Sequence, residues 1–155
     1  QEGKKQQIWE YLKQNKDIKI IHLKRKNLLQ VCLSYYLAKK TNQWILKQGS
    51  QPSGFVSIGL EYDDCLQLFE ETRRWEEDYD RMFAEHPKIE VIYEDLVADT
   101  AGQSKRIQSF LGVKLQSLSA STLRQNTRSL SARISNYTEL KQQFEGTPWS
   151  IFFTD

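Results

Sequence analysis

The sequence has little of what marks several common protein classes. Its 155 residues include only two cysteines, Cys32 and Cys65, which is too few for a disulfide framework or a zinc site. Both lie in apolar helical patterns, so we expect buried free thiols, as in a reducing, cytoplasmic setting. No apolar run reaches about 18 residues, so no membrane span is predicted. The N-terminal stretch QEGKKQQIWEYL has no signal-peptide core.

Glycine-rich loops and paired metal ligands are also missing from the sequence. The seven glycines are scattered, and neither GxxxxGK[ST] nor GxGxxG occurs, which removes two common nucleotide-binding loops. His22 and His86 are far apart, and neither has a metal-ligand companion at helical spacing. We therefore predict no metal site, and we interpret His22 as a hydrogen-bonded core histidine rather than a catalytic base.

Charge is unevenly distributed, although the net charge is only +2. Residues 1–50 carry 11 Lys or Arg against 3 Asp or Glu, residues 51–100 carry 4 against 14, and residues 101–155 carry 7 against 3. A nucleic-acid binder is more often basic over a whole face, so nucleic acid is not an expected partner. The basic first and last thirds could instead form a local anion pocket.

Hydrophobic periodicity predicts helices that alternate with strands. The predicted strands are 18–23, which we expect to be buried, 89–93, and a possible short strand at 55–58. The predicted helices are 5–14, 28–40, 62–85, 104–111 and about 138–144. This order predicts a single α/β domain over residues 1–155, with a mainly parallel sheet flanked by helices. So few strands cannot bury the edges of such a sheet, so we expect the sheet to be incomplete in this chain.

Three cations stand at the junction between the first strand and the next helix. Lys24, Arg25 and Lys26 precede Asn27, a plausible N-cap. Ligands in open α/β sheets lie at the carboxyl ends of strands, where helix N-termini attract anions. Ser34 follows Asn27 by about two turns on the same side of the helix. Arg25 and Ser34 together could clamp a terminal phosphate. The alternative is a solvated turn, with the Ser34 hydroxyl bonded to a helix carbonyl.

The stretch IIHLKRKNLLQVCLS resembles the phosphate-binding unit of sulfotransferases that use 3′-phosphoadenosine 5′-phosphosulfate (PAPS). In that family an Arg after a strand and a Ser about eight residues later hold the 3′-phosphate of the cofactor. The resemblance implies these roles for Arg25 and Ser34, which are nine apart. The commoner spacing selects Lys26 instead. We prefer Arg25 because a guanidinium can bind phosphate through two parallel hydrogen bonds.

Two further stretches resemble the same family. VIYEDLVADTAGQSKRIQSFLGV is similar to the strand, YEDL turn and FLGV helix of many members, which implies that Tyr93 packs beside the adenine. A core tyrosine is the alternative. LRQNTRSLSARISNYTELKQQFEGTPWSIFF resembles the C-terminus of bacterial-type members. It implies that Arg124, Gln125 and Asn126, with Arg128 as a further candidate, cover the phosphate. A solvated surface turn is the alternative there. The resemblance to the family as a whole covers about residues 4–155, which is nearly the whole chain.

The resemblance implies a P-loop-NTPase-like fold and transfer of a sulfuryl group from PAPS to an acceptor hydroxyl or amine, leaving 3′,5′-bisphosphoadenosine (PAP). Carbohydrate, lipid-linked and small-molecule acceptors all remain open. The family's 5′-phosphosulfate loop and its catalytic base normally lie upstream of the Arg–Ser unit. We therefore expect the chain to be the C-terminal part of a sulfotransferase domain. Its partner would be the missing N-terminal part of the same protein, and by itself it would be inactive.

Two other functions fit the same α/β plan. The chain could be part of a nucleotide kinase, or a non-catalytic nucleotide-binding or scaffolding domain. No catalytic residue can be named from the sequence under any of the three hypotheses.

Overall fold

A computed structural model describes residues 2–46, 54, 56–119 and 128–154. In chain order its elements are α1 (Glu2–Gln14), β1 (Ile20–Lys24), α2 (Leu28–Thr41), α3 (Tyr62–Met82), β2 (Lys88–Ile92), α4 (Tyr93–Ala98), α5 (Thr100–Leu111), α6 (Leu130–Arg133), α7 (Tyr137–Gln143) and a 3₁₀ helix (Pro148–Phe152). The α/β class is confirmed. None of the helices in the described ranges is long and apolar enough to span a membrane.

The chain divides into two compact units, which we describe separately. The first contains Gln1–Lys26 and Arg73–Ser119, and the second contains Asn27–Thr72 and Ala120–Asp155. The expectation of a single domain stays a prediction.

The first unit is built around a pair of parallel strands. β1 and β2 pair in register from Ile20 opposite Lys88 to Lys24 opposite Ile92. Both predicted strands are therefore confirmed in type, with bounds shifted by one or two residues. Parallel strands end at the same edge, so the residues that follow Lys24 and Ile92 start from neighbouring positions.

The expectation that the first strand is buried is wrong, since two of the five residues of β1 are exposed and the other three are partly buried. Ile21 and Leu23 are 41% and 53% exposed, whereas Ile89 and Val91, their partners in the register, are buried. Paired residues share one face of the sheet, and α4 and α5 contact β2. Among the described residues, other elements therefore cover the β2 half of this apolar face, and the β1 half is exposed to solvent.

The opposite face of β1 is polar and packs on the C-terminal part of α3. Asp80 accepts hydrogen bonds from Lys24 Nζ and Lys88 Nζ, each at 2.6 Å, and lies 3.1 Å from His22 Nδ1. Lys24 also pairs with Glu90 at 2.7 Å. The interpretation of His22 as a hydrogen-bonded histidine agrees with this contact. The two lysine side chains on this face, which are 17% and 27% exposed, are thus paired with carboxylates of the same unit.

The second unit places one face of α2 against an aromatic core. Asn27 caps the helix as predicted, since its side chain accepts a hydrogen bond from the Gln30 N–H. The expectation that α2 is interior all round is wrong for Tyr35, which is 44% exposed. The core comprises the buried residues Leu28, Leu29, Cys32, Leu33, Leu37, Ile58, Leu60, Cys65, Phe69, Leu130, Ile134, Leu140, Phe144, Phe152 and Phe153.

The ends of the helices follow local chemistry. α5 stops at Gly112, which adopts the left-handed conformation predicted for a C-terminal glycine (φ 75°). α3 ends at Met82, three residues before the predicted end. The chain continues in turns, with the His86 N–H donating to the Phe83 carbonyl, and Pro87 prevents the helix from resuming. Residue 55 of the possible strand at 55–58 lies outside the described residues, and in the rest of that range Ile58 forms a bridge with Ile134.

Candidate anion-binding site

The candidate site is the edge of the first unit at which both strands end. Arg25 follows β1 and Tyr93 follows β2, and the parallel register brings the two residues together. The guanidinium carbon of Arg25 lies 3.9 Å from the centroid of the Tyr93 ring. A cation at this distance over an aromatic face contributes about 1 kcal/mol, so the contact favours a position of the guanidinium over the Tyr93 ring.

Glu94 contacts both residues that follow β1. Its Oε1 lies 3.2 Å from Arg25 Nε, and its Oε2 accepts a hydrogen bond of 3.0 Å from the Lys26 backbone N–H. The Arg25 Nε–H is not aligned on Oε1, so this contact is an ion pair without a hydrogen bond. The side chains of Arg25 and Glu94 are 24% and 25% exposed. Glu94 therefore ties the β1 end to the start of α4.

The side chain of Lys26 points to a separate partner. Its Nζ lies 2.6 Å from Asp95 Oδ1, and both side chains are largely exposed. Exposed pairs of this kind contribute little to stability, because both groups remain solvated. The sequence analysis named Arg25 and Lys26 as alternative phosphate ligands. Of these two, Arg25 is the one that contacts an aromatic ring and is partly buried.

The three cations at the junction thus have anionic partners within the first unit. Lys24 pairs with Asp80 and Glu90, Arg25 with Glu94, and Lys26 with Asp95. Burial alone would lower the pKa of Lys24, but the hydrogen bonds that Lys24 donates to Asp80 and Glu90 outweigh burial and raise that pKa. The alternative of a simple solvated turn does not describe Lys24 or Arg25.

Ser34 belongs to the second unit, on the exposed side of α2. The N-cap of that helix is also tied within the second unit, because the Asn27 amide donates a hydrogen bond of 2.9 Å to the Phe152 carbonyl. Arg25 belongs to the first unit, so the convergence of Arg25 and Ser34 on one phosphate stays a prediction.

Three of the predicted site residues, Arg124, Gln125 and Asn126, lie outside the described residues. Arg128 is described, in the second unit. It lies close enough to Arg133 to lower the pKa of that guanidinium, although burial is the larger cause.

The sequence reasoning missed Glu94 as a residue of the site. Its position immediately after Tyr93, at the end of a predicted strand, was the available signal. Within the described ranges, no group of three or more His, Cys, Asp or Glu residues could hold a metal ion.

Sequence comparison identifies the family of the chain. The family model described as "Sulfotransferase domain" matches residues 7–152. The chain belongs to this family. The sulfotransferase domain is also similar to two curated proteins, both named Nodulation protein H. The one from Rhizobium tropici is 29% identical over 138 residues, which is 88% of this chain and 55% of the relative. The one from Rhizobium meliloti is 26% identical over 139 residues, which is 88% of this chain and 56% of the relative.

The sulfotransferase domain described here spans about half the length of the curated relatives it matches. No solved structure gave a significant match to the chain. The family assignment therefore rests on the sequence comparisons, and the description of the site rests on the structure of this chain.

Proposed function

We propose that the chain carries the nucleotide-binding part of a sulfotransferase that transfers a sulfuryl group from PAPS to an acceptor hydroxyl or amine. The observation that carries the proposal is the stack of Arg25 on Tyr93 at the strand-end edge, in a chain that belongs to the sulfotransferase family. In an α/β sheet this edge is where ligands bind.

Arg25 would hold the 3′-phosphate of the nucleotide in this proposal. A guanidinium held over an aromatic ring loses less conformational entropy on binding than a mobile cation does. Ser34 would donate to the same phosphate. The segment containing Arg124, Gln125 and Asn126 would close over the nucleotide, and Lys26 is the alternative phosphate ligand.

Tyr93 would pack beside the adenine, and the contact of Tyr93 with Arg25 limits which part of its ring the adenine can meet. The guanidinium of Arg25 already covers one face of the ring. Adenine would therefore meet the opposite face or the edge of the Tyr93 ring, which offers an apolar surface and a phenolic hydroxyl. A 3′-phosphate on Arg25 and an adenine on Tyr93 would then be held by adjacent groups.

The negative charge of Glu94 and Asp95 beside this site has a consequence for binding. Each carboxylate repels a phosphate, so net attraction requires that Arg25 and the other donors contribute more than the two acids subtract. The ion pair of Glu94 is made at Nε, which is one edge of the guanidinium. A phosphate could be bound by the terminal nitrogens, with Glu94 retained at Nε.

In the proposed reaction, PAPS supplies the sulfuryl group for in-line transfer to the acceptor. A general base takes the acceptor proton, and cations stabilise charge on the leaving oxygen. The residues of this chain are assigned to binding and orientation of the nucleotide. The base and the 5′-phosphosulfate loop are proposed to lie in an upstream part of the same protein, so the chain alone would be inactive.

The exposed apolar side chains of β1 support the proposal that further elements of the sheet come from that upstream part. Ile21 and Leu23 continue the apolar face on which Ile89 and Val91 are buried. A further strand with a covering helix would remove Ile21 and Leu23 from water. We propose that the upstream part of the protein supplies these elements.

Nucleotide titration tests the proposed function. We expect PAP to bind more tightly than ADP in calorimetric titrations of the protein with its upstream part. Tighter binding of ADP would favour the nucleotide kinase, which family membership disfavours. If neither nucleotide binds, the chain is a non-catalytic domain that kept the fold, and the proposal is wrong.

A further inference from the structure

Helices α2 and α3 bring the two cysteines of the chain side by side in the second unit. Cys32 Sγ and Cys65 Sγ are 3.1 Å apart, although 33 positions separate the residues in sequence. Both side chains are fully buried and neither is in a disulfide. The prediction of buried free thiols is confirmed, but nothing in the sequence indicated that the two thiols would touch.

The environment of the pair keeps the Cys32 sulfur protonated. The hydrogen bond to Cys65 and then burial raise the pKa of Cys32 far above its ordinary value. Beside the pair, burial and then a hydrogen bond to Asp64 raise the pKa of the Tyr36 hydroxyl. The Tyr36–Asp64 contact joins the same two helices, so the cysteines lie in a closed and well-fixed part of their interface.

We propose that Cys32 and Cys65 form a reversible intramolecular disulfide when the protein is exposed to a peroxide. A disulfide needs a sulfur separation of about 2.05 Å, so the two sulfurs must approach by about 1 Å. Small side-chain rotations of two facing cysteines can supply this movement while the helices stay packed.

The oxidation is balanced with one molecule of hydrogen peroxide. One thiol attacks the peroxide, the O–O bond breaks, and a sulfenic acid and one water form. The second sulfur then attacks the sulfenic sulfur, the S–S bond forms, and the second water leaves. Two thiols have lost two electrons and two hydrogens, and the peroxide has been reduced to two waters.

Burial and proximity have opposite effects on the two steps. The first step is slow, because a buried, protonated thiol is a poor nucleophile and peroxide must wait for local opening. The second step is fast, because the partner sulfur is already in contact. The sulfenic acid should therefore not accumulate, and the disulfide should be the observed product.

A disulfide at this position would lock α2 to α3. It would close a loop of more than thirty residues, and such a constraint acts mainly on the unfolded chain. We expect the oxidised protein to unfold at a temperature about 5–10 °C higher than the reduced protein does. Ser34 lies on the exposed side of α2, two residues from Cys32, so the locked helix is the one that carries a proposed phosphate ligand.

Oxidation of the folded chain tests the proposal. Hydrogen peroxide is added, remaining thiols are alkylated, and intact mass and non-reducing electrophoresis are compared before and after dithiothreitol. We expect a monomer that has lost about 2 Da, that resists alkylation and that returns to the reduced mass with dithiothreitol. Because the chain has two cysteines, an intramolecular disulfide can only join Cys32 to Cys65.

Two variants serve as controls. Cys32→Ala and Cys65→Ala should each abolish both the mass change and the rise in unfolding temperature, with circular dichroism confirming that each variant is folded. If a variant fails to fold, the oxidation of the wild-type protein still tests the proposal, because an intramolecular disulfide can only join Cys32 to Cys65. The proposal is overturned if the folded protein keeps both thiols, forms only intermolecular dimers or sulfinic acids, or unfolds at a lower temperature once oxidised.

Discussion

The side-chain amide of Asn136 makes two hydrogen bonds with the backbone of Leu60. Asn136 Oδ1 accepts from the Leu60 N–H at 3.0 Å, and Asn136 Nδ2 donates to the Leu60 carbonyl at 2.9 Å. The contact joins segments 76 positions apart within the second unit, next to the bridge between Ile58 and Ile134. One side chain thus replaces the two hydrogen bonds that a neighbouring strand would make with this backbone.

Replacement of Asn136 by alanine should destabilise the second unit. Asn136→Ala leaves the Leu60 N–H and carbonyl without their protein partners, and we expect a loss of about 2 kcal/mol in the free energy of unfolding. Urea denaturation measures it. Asn15→Ala is the matched control, because Asn15 bonds the exposed Tyr11 hydroxyl and should change stability by about 0.5 kcal/mol or less. Equal losses in the two variants would contradict the role of Asn136.

Asp80 should make stability depend on acid pH. Hydrogen bonds from Lys24 and then Lys88 hold the pKa of Asp80 well below its ordinary value, although burial opposes them. A lowered folded pKa stabilises the protein above the unfolded pKa of about 4, and this stabilisation is lost as pH falls below that value. At pH 7 we expect Asp80→Asn to lose about 1–2 kcal/mol, and the difference from wild type should shrink toward pH 2.

The control for Asp80 is a carboxylate of the same helix with an exposed partner. Asp78 pairs with Arg81 on the surface, so Asp78→Asn should leave the pH dependence of unfolding unchanged. A parallel loss in Asp78→Asn, or a constant difference between Asp80→Asn and wild type across the acid range, would show that Asp80 is not the titrating group.

Arg25 should determine nucleotide affinity through the shape of its side chain as well as its charge. Arg25→Lys keeps the charge but removes the planar fork and the stack on Tyr93, and we expect PAP to bind about 10- to 100-fold more weakly. Arg81→Lys makes the same change on an arginine whose side chain is 76% exposed, and it should leave affinity unchanged. Calorimetric titration compares the two. If Arg25→Lys bound PAP with unchanged affinity, we would conclude that another cation binds the phosphate.

The open face of β1 should matter only when its covering elements are present. Leu23→Thr keeps strand propensity and removes apolar surface, so we expect little change in the thermal unfolding of the 155-residue chain. In the protein with its upstream part we expect a loss of about 1–3 kcal/mol, because a buried isobutyl group is replaced by a smaller side chain with a hydroxyl. Leu23→Ile is the control that keeps the side chain apolar. The same small effect in both proteins would contradict docking on this face.

The features that the sequence predicted well depend on neighbouring residues. Asn27 caps α2 through the Gln30 N–H, three residues away, and Gly112 ends α5 through its own backbone freedom. The parallel pairing followed from two β-rich segments separated by helices. Each of these features is decided within a few residues or by the order of the elements, so one sequence contains enough information.

The features that were missed depend on distant partners. Whether the apolar face of β1 is buried is decided by other elements, so the pattern at Ile21 and Leu23 could not settle it. The pairing of Arg25 with Glu94 and the contact between Cys32 and Cys65 need the strand register and the helix packing respectively. The members of these two pairs lie 69 and 33 positions apart in the sequence, so they leave no local pattern to detect.

Because β1 and β2 end at neighbouring positions, the length of β2 is more constrained in evolution than its composition is. A substitution in β2 alters one side chain, but the deletion of one residue between Lys88 and Ile92 would turn every following side chain to the other face of the sheet. Tyr93 would then leave the Arg25 guanidinium, and Glu94 would leave the Lys26 amide, in a single step. Descendants of this sequence can therefore tolerate drift in the composition of β2 far more readily than a change in its length.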